Sequence, residues 1–294
     1  MRPGALLLAL AGTADAPQTL VSVPEQHRLA EGIATDGKTI WLSSVLDRTI
    51  LTRAGGKVGS FAMPAGVLHP MGLAWDATRN WLWVATDCPD LPGVAKCESG
   101  ALVALDRNGR LKAKFLPGTG FHPGDVSATN GEVFVSDSLN GVVYRLRGKV
   151  LEPMIAQGVG RSAQGTALPP DGKRLVVADY GRGVATIDLA TKQRTLLPMA
   201  DGKSLRGIDG LVRVGGDYYV IHNGSSPGSL IRFRIDGAAI DVAVVHRGAP
   251  LADPTQLASD GKRLLVVADA GWPAASKPGS TPRGPDTVVA FDLR

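Results

Sequence analysis

Hydrophobic and polar positions recur along the chain in one pattern: a small-residue entry, a short strand, a turn, an apolar strand ending in Asp or Asn, then further strands. Six copies align, starting at Glu31 (EGIATDGKTIWLSSV), Met71 (MGLAWDATRNWLWVATD), Asp125 (DVSATNGEVFVSDS), Gly165 (GTALPPDGKRLVVADY), Asp209 (DGLVRVGGDYYVIHNG) and Thr255 (TQLASDGKRLLVVADA). Their offsets are 40, 54, 40, 44 and 46 residues. Each copy supplies strands A, B and C and a looser D, as at 165–168, 174–179, 183–189 and 194–197 in the fourth copy. B runs such as LVVAD and LLVVAD are nearly continuous apolar stretches, which is what a sheet packed on both faces needs, so B is expected at the centre of each unit. A four-stranded repeat with a period just above forty predicts an all-β, six-bladed β-propeller.

The turns agree with this reading. Asp36-Gly37, Asn130-Gly131, Asp171-Gly172 and Asp260-Gly261 supply the positive φ that tight A–B hairpins need. The last copy has A, B and a C strand at 287–293 and then the chain ends, without a D strand. Residues Thr19 to Val23 precede the first A strand with no blade of their own. They are expected to pair with the C-terminal strand, close the ring and hide an edge that would otherwise recruit another chain. The long second offset is an insertion that carries the only cysteines, Cys88 and Cys97, in CPDLPGVAKC. Two cysteines without a second Cys/His half at zinc spacing point to a disulfide, not a metal site.

Composition narrows the class. The 37 glycines and 20 prolines, with 22 Asp against 5 Glu, favour turns and strands over helices and exclude a helical bundle. A hydrophobic share of 44% and a charged share of 20% give a globular chain with a real core. The net charge is +5, but the Lys and Arg residues are scattered singly, whereas a nucleic-acid footprint needs them clustered. At the N-terminus Arg2, the apolar run 5–12 and the Ala14-Asp15-Ala16 pattern are those of a signal peptide covering 1–16. The rest, 17–294, is expected to be one propeller domain, exported to the periplasm or secreted. No other apolar run reaches the roughly 18 residues of a membrane span.

Candidate chemistry lies where strands begin and end at one face. His69 and His122 each precede a proline in a D-to-A connection, and His222 ends the fifth B strand. All three are placed to look into the channel mouth, where a neutral imidazole can take a proton from water; alternatively each His-Pro only sets an extended loop entry. Asp87, Asp137, Asp179, Asn223 and Asp269 end B strands, where such residues mostly accept backbone N–H groups of the following turn. Tyr180 and Trp272 lie just beyond B strands and are read as an apolar wall of the mouth or as packing between blades. No G-x-S-x-G elbow, Walker motif or G-x-G-x-x-G context is present.

On the stretches EGIATDGKTIWLSSV, GDVSATNGEVFVSDS, SAQGTALPPDGKRLVVADYGRGVATIDL and IDGLVRVGGDYYVIHNG, the chain resembles the senescence marker protein, gluconolactonase and luciferin-regenerating-enzyme family of six-bladed propellers. Paraoxonases and strictosidine-synthase-like proteins are its distant relatives, and VADYGRG also resembles NHL-repeat blades. The resemblance implies a divalent cation, usually calcium, at the top of the channel, held where A strands begin and polarising a lactone or ester carbonyl. Glu31 matches the first-blade glutamate and Asp209 the fifth-blade aspartate, which is also counted among the catalytic residues. The third-blade Asn-Asp pair reads Gly124-Asp125 here, and the fourth-blade Asn-Gly reads Gln164-Gly165. Asp125 and Gln164 complete the expected metal set, although strand alternation would turn Asp125 to the opposite face. The function implied is metal-dependent hydrolysis of small lactones or esters by Glu31, Asp209 and a histidine. The alternative is a non-catalytic propeller that binds a ligand or partner on the same face. The expected partner is a small molecule at the channel mouth, with no nucleic acid, and the protein is read as a monomer.

Overall fold

The computed structural model describes residues 16–24, 29–277 and 287–293. Apart from Ala16, the signal-peptide segment lies outside them. Six four-stranded antiparallel sheets form the blades of a propeller. In blade 4 the strands are Ala163–Ala167, Arg174–Asp179, Gly183–Asp188 and Arg194–Leu196, in the order A-B-C-D. In blade 6 the A, B and C strands are Leu257–Ser259, Arg263–Val267 and Thr287–Asp292, and Gln18–Ser22 takes the D position. Thr19 pairs there with Val289 and Ser22 with Thr287, so the N-terminal segment closes the ring as expected.

The nearly continuous apolar B strands are buried on both faces because each blade is packed between two others. Six apolar clusters lie at the blade-to-blade contacts, from Trp41 with Leu73 and Val84 between blades 1 and 2 to Val21 and Val288 with Ile40 and Leu42 between blades 6 and 1. Trp83, Phe134 and Phe233 are almost fully buried in this way, each contributing roughly 1.5–3 kcal/mol by the area removed from water. The A–B turns take the backbone that their glycines allow, with φ of 85° at Gly37, 62° at Gly172 and 87° at Gly261.

Two features shape the face where A strands begin. First, in blades 1 to 5 the A–B register slips near the start of the A strand, so that Glu31 and Gly32 together oppose Ser43. Such bulges re-aim side chains. Ser43 fixes the first one: its Oγ accepts the Gly32 N–H at 2.7 Å and donates to the Met71 carbonyl of the next blade at 2.8 Å. Second, Cys88 and Cys97 form a disulfide with Cα atoms 5.8 Å apart. The loop that it closes packs Leu91 against Leu29, Val45 and Ala275. Ala275 belongs to Trp272–Ala275, the one helix among the described residues, so none there is long and apolar enough to cross a membrane.

Candidate functional site

The start of each A strand brings six backbone positions around the channel axis. The register places Ile33, Leu73, Val126, Thr166, Leu211 and Leu257 at one level. The residues just above them are Gly32, Gly72, Asp125, Gly165, Gly210 and Gln256. The residues one step higher are Glu31, Met71, Gly124, Gln164, Asp209 and Thr255.

Three carboxyls lie within electrostatic reach of one another at the channel top. Glu31, Asp125 and Asp209 are buried, at 9%, 6% and 9% relative exposure. Burial pushes the Glu31 carboxyl well above its usual range, and the nearby charges of Asp209, Asp125 and Asp253 push it further, against a hydrogen bond from Trp272. Asp125 is raised to about 7 by burial and Asp209, despite the Val126 N–H and the Gln256 side chain. Asp209 is raised to about 7 by burial and Asp253, despite Asn223. The bulge in blade 3 therefore brings Asp125 among the other acids, which simple strand alternation did not allow.

Each of these acids has a neutral donor. Trp272 Nε1–H donates to Glu31 Oε2 at 2.5 Å, and Asn223 Nδ2–H donates to Asp209 Oδ2 at 2.9 Å. Asp125 Oδ1 accepts the Val126 N–H at 2.8 Å. A calcium ion needs six to eight oxygens around one point. Among the described residues, no three Asp, Glu, His or Cys side chains are gathered closely enough to hold an ion. The excess of buried negative charge suits a cation, but carboxyls alone do not gather into a site for one among the described residues.

A second feature lies over blades 2 to 4. A cleft of about 500 Å³ is lined by Met71, Asp87, His122, Ser138 and Gln164, with Trp272 reaching in from blade 6. Here His122 Nδ1 lies 3.2 Å from both oxygens of Asp87. An imidazole whose Nδ1–H faces a carboxylate keeps its Nε2 lone pair for a proton. Asp87 itself is raised above the usual carboxylate range by burial, against the Cys88 N–H and His122. It ends the second B strand (Trp81–Asp87) and adjoins the disulfide, while His122 precedes the third A strand (Pro123–Thr129). Fold and disulfide thus hold the pair from both sides.

The other candidates are placed differently. His69 sets its Nδ1 2.8 Å from the Val45 carbonyl, and His222 sets its Nδ1 3.4 Å from Ser225 Oγ. Neither lines the cleft. Gln164 does line it, and its amide donates to Ser162 Oγ at 3.1 Å. Asp137 and Asp179 accept backbone N–H groups of the adjoining turns, as strand-end aspartates were expected to. Asp87 adds the His122 ring to that pattern, a pairing not read from the sequence. Gln256 was also missed, although the repeat alignment sets it where three of the other blades have glycine.

No family model and no curated protein matches the chain. Solved structures do. The luciferin-regenerating enzyme matches with a TM-score of 0.65 and 14% identity over 95% of this chain and 96% of that one. The aldose sugar dehydrogenase of Streptomyces coelicolor, in its PQQ-bound form, matches with a TM-score of 0.63 and 14% identity over 95% and 98%. The virginiamycin B lyase of Staphylococcus aureus matches with 0.59 and 13% over 95% and 99%. The chain shares its fold with these enzymes. The luciferin-regenerating enzyme also bears the name of the family that the sequence resembles, so the likeness in fold and the resemblance agree.

Proposed function

We propose that the protein is an exported hydrolase of small lactones or esters, acting in the cleft over blades 2 to 4. The observation that carries this is the His122–Asp87 pair inside that cleft. In the proposed reaction His122 Nε2 takes a proton from water as its oxygen attacks the substrate carbonyl. The tetrahedral intermediate collapses with cleavage of the C–O bond, and the proton returns from His122 to the leaving alkoxide. Asp87 holds the ring and stabilises the imidazolium. The Gln164 amide and the Ser138 hydroxyl line the same cleft and are the donors offered to the carbonyl oxygen, while Met71 and Trp272 supply its apolar wall. No step is assigned to a divalent cation, since the His122–Asp87 pair can carry the proton transfers. The Cys88–Cys97 disulfide supports the reading that the protein works in an oxidising compartment.

The test is turnover of a panel of small lactones and aryl esters by the wild type and by His122→Asn and Asp87→Asn. Loss of roughly 10²–10⁴-fold in kcat in both variants, with the fold intact, is the expected result. The second reading is a propeller that binds a ligand in the same cleft without turnover, and the departures at Gly124 and Gln164 from the family's metal positions favour it. Absence of turnover across the panel, with a ligand still bound in the cleft, would replace the first reading with the second.

A further inference from the structure

Of the six positions just above the common level of the A strands, blades 1, 2, 4 and 5 carry glycine: Gly32, Gly72, Gly165 and Gly210. Blades 3 and 6 carry Asp125 and Gln256. In a ring of six, these two blades face each other across the axis. Both side chains are buried, at 6% and 5% exposure, and the Gln256 side chain lies near enough to the Asp125 carboxyl to lower its pKa. Each lies over a neighbouring blade's glycine. A Cβ on Gly72 would come within 2.3 Å of Asp125 Oδ1, and one on Gly210 within 2.5 Å of Gln256 Oε1. Directly below lies a second cavity, of about 250 Å³, whose uppermost lining residues are the ones that follow these six positions.

We propose that Asp125 and Gln256 form a side-chain bolt across the channel top, standing where a cation would otherwise sit and separating the mouth from the lower cavity. Three observations carry it. The two side chains that break the glycine pattern are the two that face each other. The Gln256 side chain lies beside the Asp125 carboxyl, whose Oδ1 accepts the Val126 N–H. The flanking acids are also committed, Glu31 to Trp272 and Asp209 to Asn223. An amide joined to a carboxyl relieves a buried charge without an ion. The bolt makes the protein's stability independent of calcium and leaves the cleft over blades 2 to 4 as the place where a ligand binds.

The experiment compares melting temperatures in EDTA and in millimolar calcium chloride, with isothermal titration of calcium alone, for the wild type and for Asp125→Gly/Gln256→Gly. A ligand that binds only the folded state raises the melting temperature. The wild type is expected to show neither a shift nor a binding heat. The double variant, which carries the glycine of the other blades, is expected to gain a calcium-dependent rise of several degrees as Glu31 and Asp209 face an open shaft. A rise in the wild type would overturn the proposal, and so would a folded double variant indifferent to calcium. Should the double variant not fold, Gln256→Leu decides. It keeps bulk but strands the Asp125 carboxyl, so its melting temperature should fall below that of the wild type equally in EDTA and calcium; an unchanged value would overturn the bolt. The hydrolase reading is scored separately, by turnover of the wild type in EDTA.

Discussion

At the scale of single residues, backbone spacing decides what a side chain can do. Gly165 lies against blade 5 so closely that a Cβ would come within 2.3 Å of the Leu211 N and 3.0 Å of the Asp209 O. Backbone cannot step aside as a flexible side chain does, so Gly165→Ala is expected to lower stability by roughly 1–3 kcal/mol, measured by chemical denaturation. Gly216→Ala, at a site where a Cβ meets nothing within 4 Å, serves as the control. The same closeness explains how far the site was legible. Glu31 and Asp209 were readable because each precedes a glycine at a repeat start. His122 could not be told from His69 by sequence, since both stand before proline. What separates them is a partner 35 residues away, Asp87, reached only because blades 2 and 3 adjoin. The side to which Asp125 turns was misjudged because alternation holds for a regular strand, and the register slips at Asp125.

At the scale of elements, the A–B hairpins are fixed by aspartates whose charge matters. Asp76 is buried, which by itself raises its pKa, yet hydrogen bonds from Arg79, Trp83 and the turn backbone bring it below the usual value. Arg79 donates to Asp76 Oδ2 at 2.6 Å and Trp83 Nε1 at 3.1 Å. Asp36 and Asp260, in the corresponding turns of blades 1 and 6, are lowered by the same kinds of donor against burial. A carboxyl with a depressed folded pKa adds stability that is present above its unfolded value, about 3.9, and lost as pH falls through the folded one. Stability should therefore decline as pH falls below about 4, and Asp76→Ala should lessen that decline while costing roughly 1.5–3 kcal/mol at neutral pH. Urea unfolding at a series of pH values checks both. The hairpins were legible because Asp-Gly and Asn-Gly turns carry their own backbone requirement.

The disulfide loop is an element of another kind, since it carries no strand of the propeller but walls the cleft. Closing ten residues contributes roughly 2.5–3 kcal/mol in the chain-entropy model. Its effect on the proposed chemistry should be larger than that, because Asp87 directly precedes Cys88. Cys88→Ser/Cys97→Ser is expected to lower turnover more than it lowers the melting temperature of the propeller, and to do so through kcat, since it loosens the aspartate that orients His122. Equal turnover in the oxidised wild type and the double variant would remove the loop from the proposed site.

At the scale of the whole molecule, the ring is held by a contact between its two ends. Gln18–Ser22 supplies the D strand of blade 6. Val21 and Val23 are buried at 8% and 1% exposure, in the cluster that joins that blade to Ile40, Leu42 and Leu51 of blade 1. Closure was legible because the last repeat lacked a D strand and a leading strand lacked a blade. Without residues 1–23, Thr287–Asp292 becomes an open edge of hydrogen-bonding groups and two buried valines are lost, at roughly 3–6 kcal/mol together. The truncated chain should melt well below the full one and self-associate in size-exclusion chromatography. A synthetic peptide of residues 16–24, added in excess, should raise the melting temperature back toward that of the intact protein, because it pairs with the same edge and binds the folded state only. If the truncated chain melts with the full one and ignores the peptide, the N-terminal strand decorates blade 6 without closing the ring.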